Sequence, residues 1–241
     1  MLIYGSPDFI TIRWKLESEP GVKDGLVTVN TFSQFMGAGV FGPAGKTMPP
    51  AGRRKRLFDG KSFTGWEGDT KKTWRIENGA LVGGSLQETV PHNDFLTTTK
   101  DYTNFDLRLK VKLEGTGFVN GGIQLRSQRT ADPPYEMSGY QADMGEGYWA
   151  SLYDESRRNK TLQAPKPDVL KAILKPNEWN DYVIRCEGRR IRLWLNGTLA
   201  VDYLEEDEAI PLSGKIGLQI HGGGKAEASY KDVTIAELPW P

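Results

Sequence analysis

Phe105-Asp106-Leu107-Arg108-Leu109-Lys110-Val111-Lys112-Leu113 alternates without a break, with apolar residues at the odd numbers and charge between them. Successive side chains of an extended chain point to opposite faces, so the stretch predicts a strand with one face in a core and one in water. Outward from it the chain keeps the same character. Asn78-Gly79 separates Trp74-Arg75-Ile76 from Ala80-Leu81-Val82, and Asn196-Gly197 follows Ile191-Arg192-Leu193-Trp194-Leu195. Asn-Gly tolerates the positive φ angles of two-residue hairpin turns, so both pairs predict tight hairpins. Further strands are expected near 94–99, 179–187, 198–203, 214–221 and 227–237. Only Asp168 to Leu174 has a helical pattern, about two turns long. Short strands punctuated by Gly and Pro predict an all-β antiparallel sandwich or jelly roll.

The chain divides into an N-terminal extension or linker over 1–55, with little structure expected, and a sandwich domain over 56–241. Pro43, Gly45, Pro49, Pro50 and Gly52 mark a loop before the basic run Arg53-Arg54-Lys55-Arg56, which is read as a solvated linker edge. The cluster Glu205-Glu206-Asp207-Glu208 is read as a solvated loop. With 31 basic and 31 acidic residues, nothing in the net charge favours nucleic acid. No run of about 18 apolar residues is present, so no helical membrane span is expected. The N-terminal stretch does not resemble a signal peptide. Cys186, the single cysteine, falls in phase with Tyr182 and Ile184 and is expected to be buried and inert.

Three stretches place hydrogen-bonding groups at every second residue with small or aliphatic residues between them. They are Asn120-Gly121-Gly122-Ile123-Gln124-Leu125-Arg126, Tyr140-Gln141-Ala142-Asp143, and Gly217-Leu218-Gln219-Ile220-His221. Amides, a carboxylate, a guanidinium and an imidazole sharing one sheet face suit a polyhydroxylated ligand better than they suit bulk water. The chemistry left by elimination agrees. The chain has no P-loop, GxGxxG, GxSxG, HExxH or CxxC, and His92 and His221 are too few for a three-histidine zinc site. His92, after Pro91, is expected at the surface.

Gln141-Ala142-Asp143-Met144-Gly145-Glu146 has the spacing of the Glu-x-Asp-x-x-Glu strand of retaining β-glucanases. An amide stands where those enzymes have their nucleophile, so a two-carboxylate displacement is not available in this register. Gly145 and Gly147 predict a turn at Glu146. The segment Tyr148-Trp149-Ala150-Ser151-Leu152-Tyr153-Asp154-Glu155-Ser156-Arg157-Arg158 adds candidate stacking aromatics in Trp149 and Tyr153, and Asp154, Glu155 and Arg157 as hydroxyl-binding or proton-transferring groups.

From Leu57-Phe58-Asp59-Gly60-Lys61-Ser62-Phe63-Thr64-Gly65-Trp66 onward, the chain resembles the 3-keto-disaccharide hydrolase domain family. The likeness continues through Asp94-Phe95-Leu96, the three polar stretches, Ser151-Leu152-Tyr153-Asp154-Glu155, Trp179-Asn180 and Gly217 to Gly223. It implies a concanavalin-A-like jelly roll of the lectin/glucanase type acting on glycosides oxidised at C3, and periplasmic or extracellular relatives. A C3 ketone acidifies the C2 proton, so a base can expel the aglycone by elimination and water can then add back. On that reading His221 or Asp143 is the base, Glu155 the acid, and Arg126 the support for the enolate oxygen. Arg126 has a rival role as a cross-strand partner of Asp143. Asn120, Gln124, Gln141 and Gln219 would bind sugar hydroxyls, Trp149 or Tyr153 would stack on the ring, and Arg157 would assist in binding. A divalent cation held by Asp143, Glu155 and His221 is a possible cofactor, with Arg126 supporting the enolate oxygen alone or together with it. A non-catalytic lectin-like module is the alternative function. The partner in either case is a small-molecule or oligosaccharide ligand.

Overall fold

The computed structural model describes residues 2–6, 9–14, 25–28, 48–50 and 52–240. It contains two compact units, Met1–Lys46 and Thr47–Pro241. In the first, β1 (Leu2–Ser6), β2 (Phe9–Trp14) and β3 (Gly25–Thr28) form an antiparallel meander, so the extension carries more regular structure than its composition suggests. The loop expected at 43–47 lies outside the described residues.

The second unit is a sandwich of two antiparallel sheets. One has the order β13 (Lys160–Gln163), β12 (Leu152–Glu155), β11 (Met137–Gly145), β10 (Asn120–Arg129), β17 (Lys215–Ile220), β8 (Asp94–Thr98), β5 (Trp66–Glu67). The other has the order β16 (Thr198–Leu204), β15 (Arg190–Leu195), β14 (Asn180–Glu187), β9 (Phe105–Gly117), β18 (Gly224–Glu237), β7 (Ala80–Gly84), β6 (Trp74–Glu77), with β4 (Lys55–Arg56) beside β18. The helix α1 (Pro167–Ile173) begins on a proline, whose missing N–H costs nothing in a first turn.

The alternating stretch is the centre of the second sheet. Phe105, Leu107, Leu109, Val111 and Leu113 are all buried, and they pack with Ile123, Leu125, Tyr140, Ala142, Met144, Leu218 and Ile220 of the facing sheet. Both Asn-Gly pairs form the expected two-residue turns, with Asn78 at φ 49° and Asn196 at φ 48°. Cys186 is buried in the core, and burial pushes its thiol up to about 11.

Two surface expectations give way at one residue each, Arg54 and Glu205, while Arg53, Lys55, Arg56, Glu206, Asp207 and Glu208 are exposed. Arg54 of the basic run forms an ion pair with buried Asp106, which Arg108 and Arg185 also approach, and Lys55 pairs with Glu237. Arg54 turns onto the sheet, where Asp106, in the centre of a sheet, needs cations to offset its lost hydration. Glu205 is buried too. Burial alone would raise its pKa, but hydrogen bonds donated by Arg158 and Tyr140 hold it down to about 2. Among the described residues no helix is long and apolar enough to cross a membrane.

Candidate active site

The face of the seven-stranded sheet turned away from the core carries the polar groups. On β10 these are Asn120 and Gln124, on β11 Gln141 and Asp143, on β12 Tyr153 and Glu155, and on β17 Gln219, with His221 just beyond its end. Strand register sets them side by side: Gly122 lies opposite both Asp143 and Gln219, Gln124 opposite Gln141, and Gln141 opposite Tyr153. The sheet is sharply curved. Glu155 Oε2 accepts from Gln219 Nε2 at 3.4 Å, although the two strands are three positions apart, about 14 Å on a flat sheet.

Asp143 is 3% exposed. Its Oδ1 accepts from Met144 N at 3.1 Å, Gln141 Nε2 at 3.3 Å and Asn120 Nδ2 at 3.4 Å. Burial outweighs these donors and, with the neighbouring charge of Glu155, pushes its carboxyl up to about 7. Burial likewise pushes Glu155 up to about 7, and the charges of Glu136 and Asp154 add to it. Among the described residues neither carboxylate takes part in an ion pair. His221 Nδ1 lies 2.7 Å from Gly222 O. A carbonyl only accepts, so Nδ1 carries a proton and donates to it. The ring packs edge-on to exposed Phe118, with centroids 4.7 Å apart.

Glycines on neighbouring strands make this arrangement possible. A Cβ on Gly122 would come within 2.7 Å of the Gln141 amide carbon, one on Gly145 within 2.7 Å of Asn120 Nδ2, and one on Gly139 within 2.3 Å of Ser127 Oγ. The polar side chains lie flat across bare backbone, buried against one another.

Several expected residues stand elsewhere. A β-bulge between Leu125 and Gln128 breaks the alternation, and Arg126 there has φ 51°. Its guanidinium donates to Thr103 O at 2.6 Å, Gly188 O at 2.7 Å and Asn104 Oδ1 at 3.2 Å. It therefore neither pairs with Asp143 nor joins the polar face. Trp149 is packed in the core. Arg157 is held by Asp154 at 2.8 Å and lies 4.5 Å above the Tyr140 ring, with the core-facing residues of β11 and β12. Gln124 is fully buried, and its amide is bonded to Ser127 and Gln141. Asp143, Glu155 and His221 do not form the cation site considered for them: among the described residues no three His, Cys, Asp or Glu side chains are grouped to hold a metal ion.

The sequence reasoning missed Ser127, Arg129, Met137 and Tyr148. After the bulge the phase shifts by one, so Ser127 reaches Gln124 and Arg129 lies over Phe95, 6.0 Å from its centroid. Met137 covers Gly217. Tyr148 is exposed where Trp149 is not. His92, expected at the surface, is half-buried and stacked on Tyr135 at 3.9 Å. Glycines inside strands were the available signal, because they mark close approach of another group.

A family model, the 3-keto-α-glucoside-1,2-lyase-like domain, matches residues 53–236. The chain belongs to this family. No protein of curated function matches it. Among solved structures, a candidate glycosyl hydrolase from Parabacteroides distasonis is similar with 22% identity and TM-score 0.57, over 77% of this chain and 94% of that one. The carbohydrate-binding module CBM66 from Bacillus subtilis is similar with 18% identity and TM-score 0.55, over 72% and 96%. An endo-β-1,3(4)-glucanase of family GH16 follows with 13% identity and TM-score 0.52, over 80% and 98%. These likenesses establish the jelly-roll sandwich, and membership of the family gives the domain a carbohydrate-related function. In the GH16 register the strand β11 ends at Gly145 and Glu146 sits in an exposed turn, as the flanking glycines predicted.

Proposed function

We propose that the domain cleaves 3-keto-glycosides by elimination and rehydration. The observation that carries the proposal is the pair Asp143 and Glu155, two carboxyls without cations on one polar face, both poised near neutrality. In the first half-reaction the Asp143 carboxylate removes the C2 proton, and the electron pair delocalises onto the C3 oxygen. Collapse of that enolate forms the C1=C2 bond as the C1–O bond breaks, and the Glu155 carboxyl delivers its proton to the departing oxygen. In the second half-reaction Glu155 takes a proton from water as the oxygen adds to C1, and Asp143, its carboxyl proton exchanged with solvent, protonates C2. The products are the free aglycone and 3-keto-glucose, and both carboxyls recover their starting states.

No nucleophile is needed, which agrees with Gln141 in the register where glucanases have one. With Arg126 engaged elsewhere, the amide N–H groups of Asn120 and Gln219 are the donors for the C3 oxygen. Among the described residues Gln219 Oε1 is buried without a partner, an acceptor suited to a sugar hydroxyl. Tyr153 and exposed Tyr148 provide the apolar surface for the ring, and His221 Nε2 accepts a further hydroxyl.

The test is incubation of the protein with 3-keto-trehalose and a 3-keto-β-glucoside in D₂O, with and without EDTA, followed by NMR. Deuterium at C2 of the released 3-keto-glucose is the expected result. Release without deuterium would replace elimination by direct hydrolysis, and binding without release would make the domain a lectin-like module.

A further inference from the structure

Four side chains on the polar face form a chain with a single direction. Ser127 Oγ lies 2.6 Å from Gln124 Oε1, Gln124 Nε2 lies 2.8 Å from Gln141 Oε1, and Gln141 Nε2 lies 3.3 Å from Asp143 Oδ1. An amide offers a donor at one end and an acceptor at the other, so fixing one amide fixes the next. A hydroxyl that donates to Gln124 Oε1 turns its N–H₂ toward Gln141, which turns the Gln141 N–H₂ toward the carboxylate. If the chain ran the other way, a carbonyl oxygen would face Asp143, an arrangement only a protonated carboxyl accepts. Two other acceptors compete for the Ser127 proton, Leu125 O at 3.1 Å and Tyr140 O at 3.3 Å, but the Gln124 contact is the shortest.

The chain is built into the fold. Ser127 and Gln124 are fully buried and Gln141 nearly so. Ser127 reaches this face only because the bulge shifts the phase of β10, and Gly139 and Gly122 leave the backbone bare where Ser127 and Gln141 lie across it.

We propose that Ser127 is a positioning residue which, through Gln124 and Gln141, presents an N–H to the Asp143 carboxylate and so favours its proton-accepting form. The inference deepens the elimination mechanism and rests on Asp143 being its base. Other titratable groups also face Asp143: Glu155 and Tyr153 from β12, Tyr182 from β14 and Tyr230 from β18. The Ser127 chain is distinct from all of these because it acts by orientation and carries no charge.

The experiment is a ¹³C NMR titration of the Asp143 carboxyl in the full chain, assigned with Asp143→Asn and performed without substrate. Ser127→Ala is expected to raise the Asp143 midpoint by about one pH unit, the scale of one hydrogen bond to a charged group. Gln124→Met, which breaks the same chain one link further on, should give the same rise, and the double variant should add nothing more. An unmoved midpoint in either folded single variant, or additive shifts in the double, overturns the proposal. Activity is a separate readout. A shifted Asp143 in a protein that never turns over a 3-keto-glycoside would retain the positioning role and reject the reaction.

Discussion

On the outer face of the eight-stranded sheet, Glu187 sits between Arg185 and Arg192, Asp181 pairs with Lys110, Asp202 with Arg190, and Glu227 with Arg75. On the outer face of the seven-stranded sheet, Asp143 and Glu155 are surrounded by amides, tyrosines and glycine backbone. Both faces are the polar sides of strands packed on the same core. Glu187 is held below the usual carboxylate range, chiefly by the hydrogen bond from Arg185, while burial raises Asp143 and Glu155 to about 7. A carboxylate flanked by guanidinium groups stays ionised and moves no protons near neutrality. One buried among neutral donors sits where it can both take and give a proton. The difference separates a face whose carboxylates are paired with guanidinium and ammonium groups from one whose carboxyls sit among neutral donors.

The largest effect expected from this contrast is on turnover. Asp143→Asn should lower kcat on a 3-keto-glycoside by about 10³-fold or more while ligand binding survives; equal losses in both would mean that Asp143 only binds. Glu155→Gln should cost about 10²-fold with a sugar alcohol as leaving group and far less with 4-nitrophenol, which departs without an acid. A uniform loss across leaving groups would remove Glu155 from that role.

Stability should follow pH in a direction set by the same carboxyls. Their folded pKa values are raised, so the contribution is fully present below about pH 4 and is lost as pH rises through about 7. For Asp143 the shift from 3.8 to about 7 corresponds to at most about 4 kcal/mol. Asp143→Asn should therefore raise the Tm at pH 8 and leave it nearly unchanged at pH 4; equal changes at both pH values would deny the shift. Arg126→Ala should cost about 3 kcal/mol in denaturant unfolding, because it strands Thr103 O and Gly188 O and leaves Asn104 Oδ1 with the Gly188 N–H alone. A stable variant with lost kcat would instead return Arg126 to the chemistry. The smallest effect is expected on the charged face, where Glu187→Gln should shift stability by less than about 1 kcal/mol, and less still in high salt.

The strands, both Asn-Gly hairpins and the helix were legible because each depends on local periodicity and turn chemistry. The polar face was legible for a related reason: Asn120, Gln124, Gln141, Asp143 and Gln219 alternate with aliphatic or small residues, and a regular strand carries that alternation into space. Arg126 shows where such reasoning ends. One extra residue in a bulge inverts every side chain after it, and nothing in Gln124-Leu125-Arg126-Ser127 announces the insertion. Trp149 and Tyr148 differ in the same way, since a turn decides which of two adjacent aromatics enters the core.

The sequence by itself determined a two-layer antiparallel fold, a hydrogen-bonding face rich in amides within it, and the absence of a carboxylate nucleophile at position 141. These follow from alternation and side-chain chemistry, which are properties of short stretches. Only the tertiary structure decided that Asp143 and Glu155 lie on one sheet face with no ion-pair partner among the described residues, that Arg126 is a structural brace, and that the amides face one another in a fixed direction. Those outcomes depend on desolvation, curvature and register between strands distant in the chain, and none of these is a property of neighbouring residues.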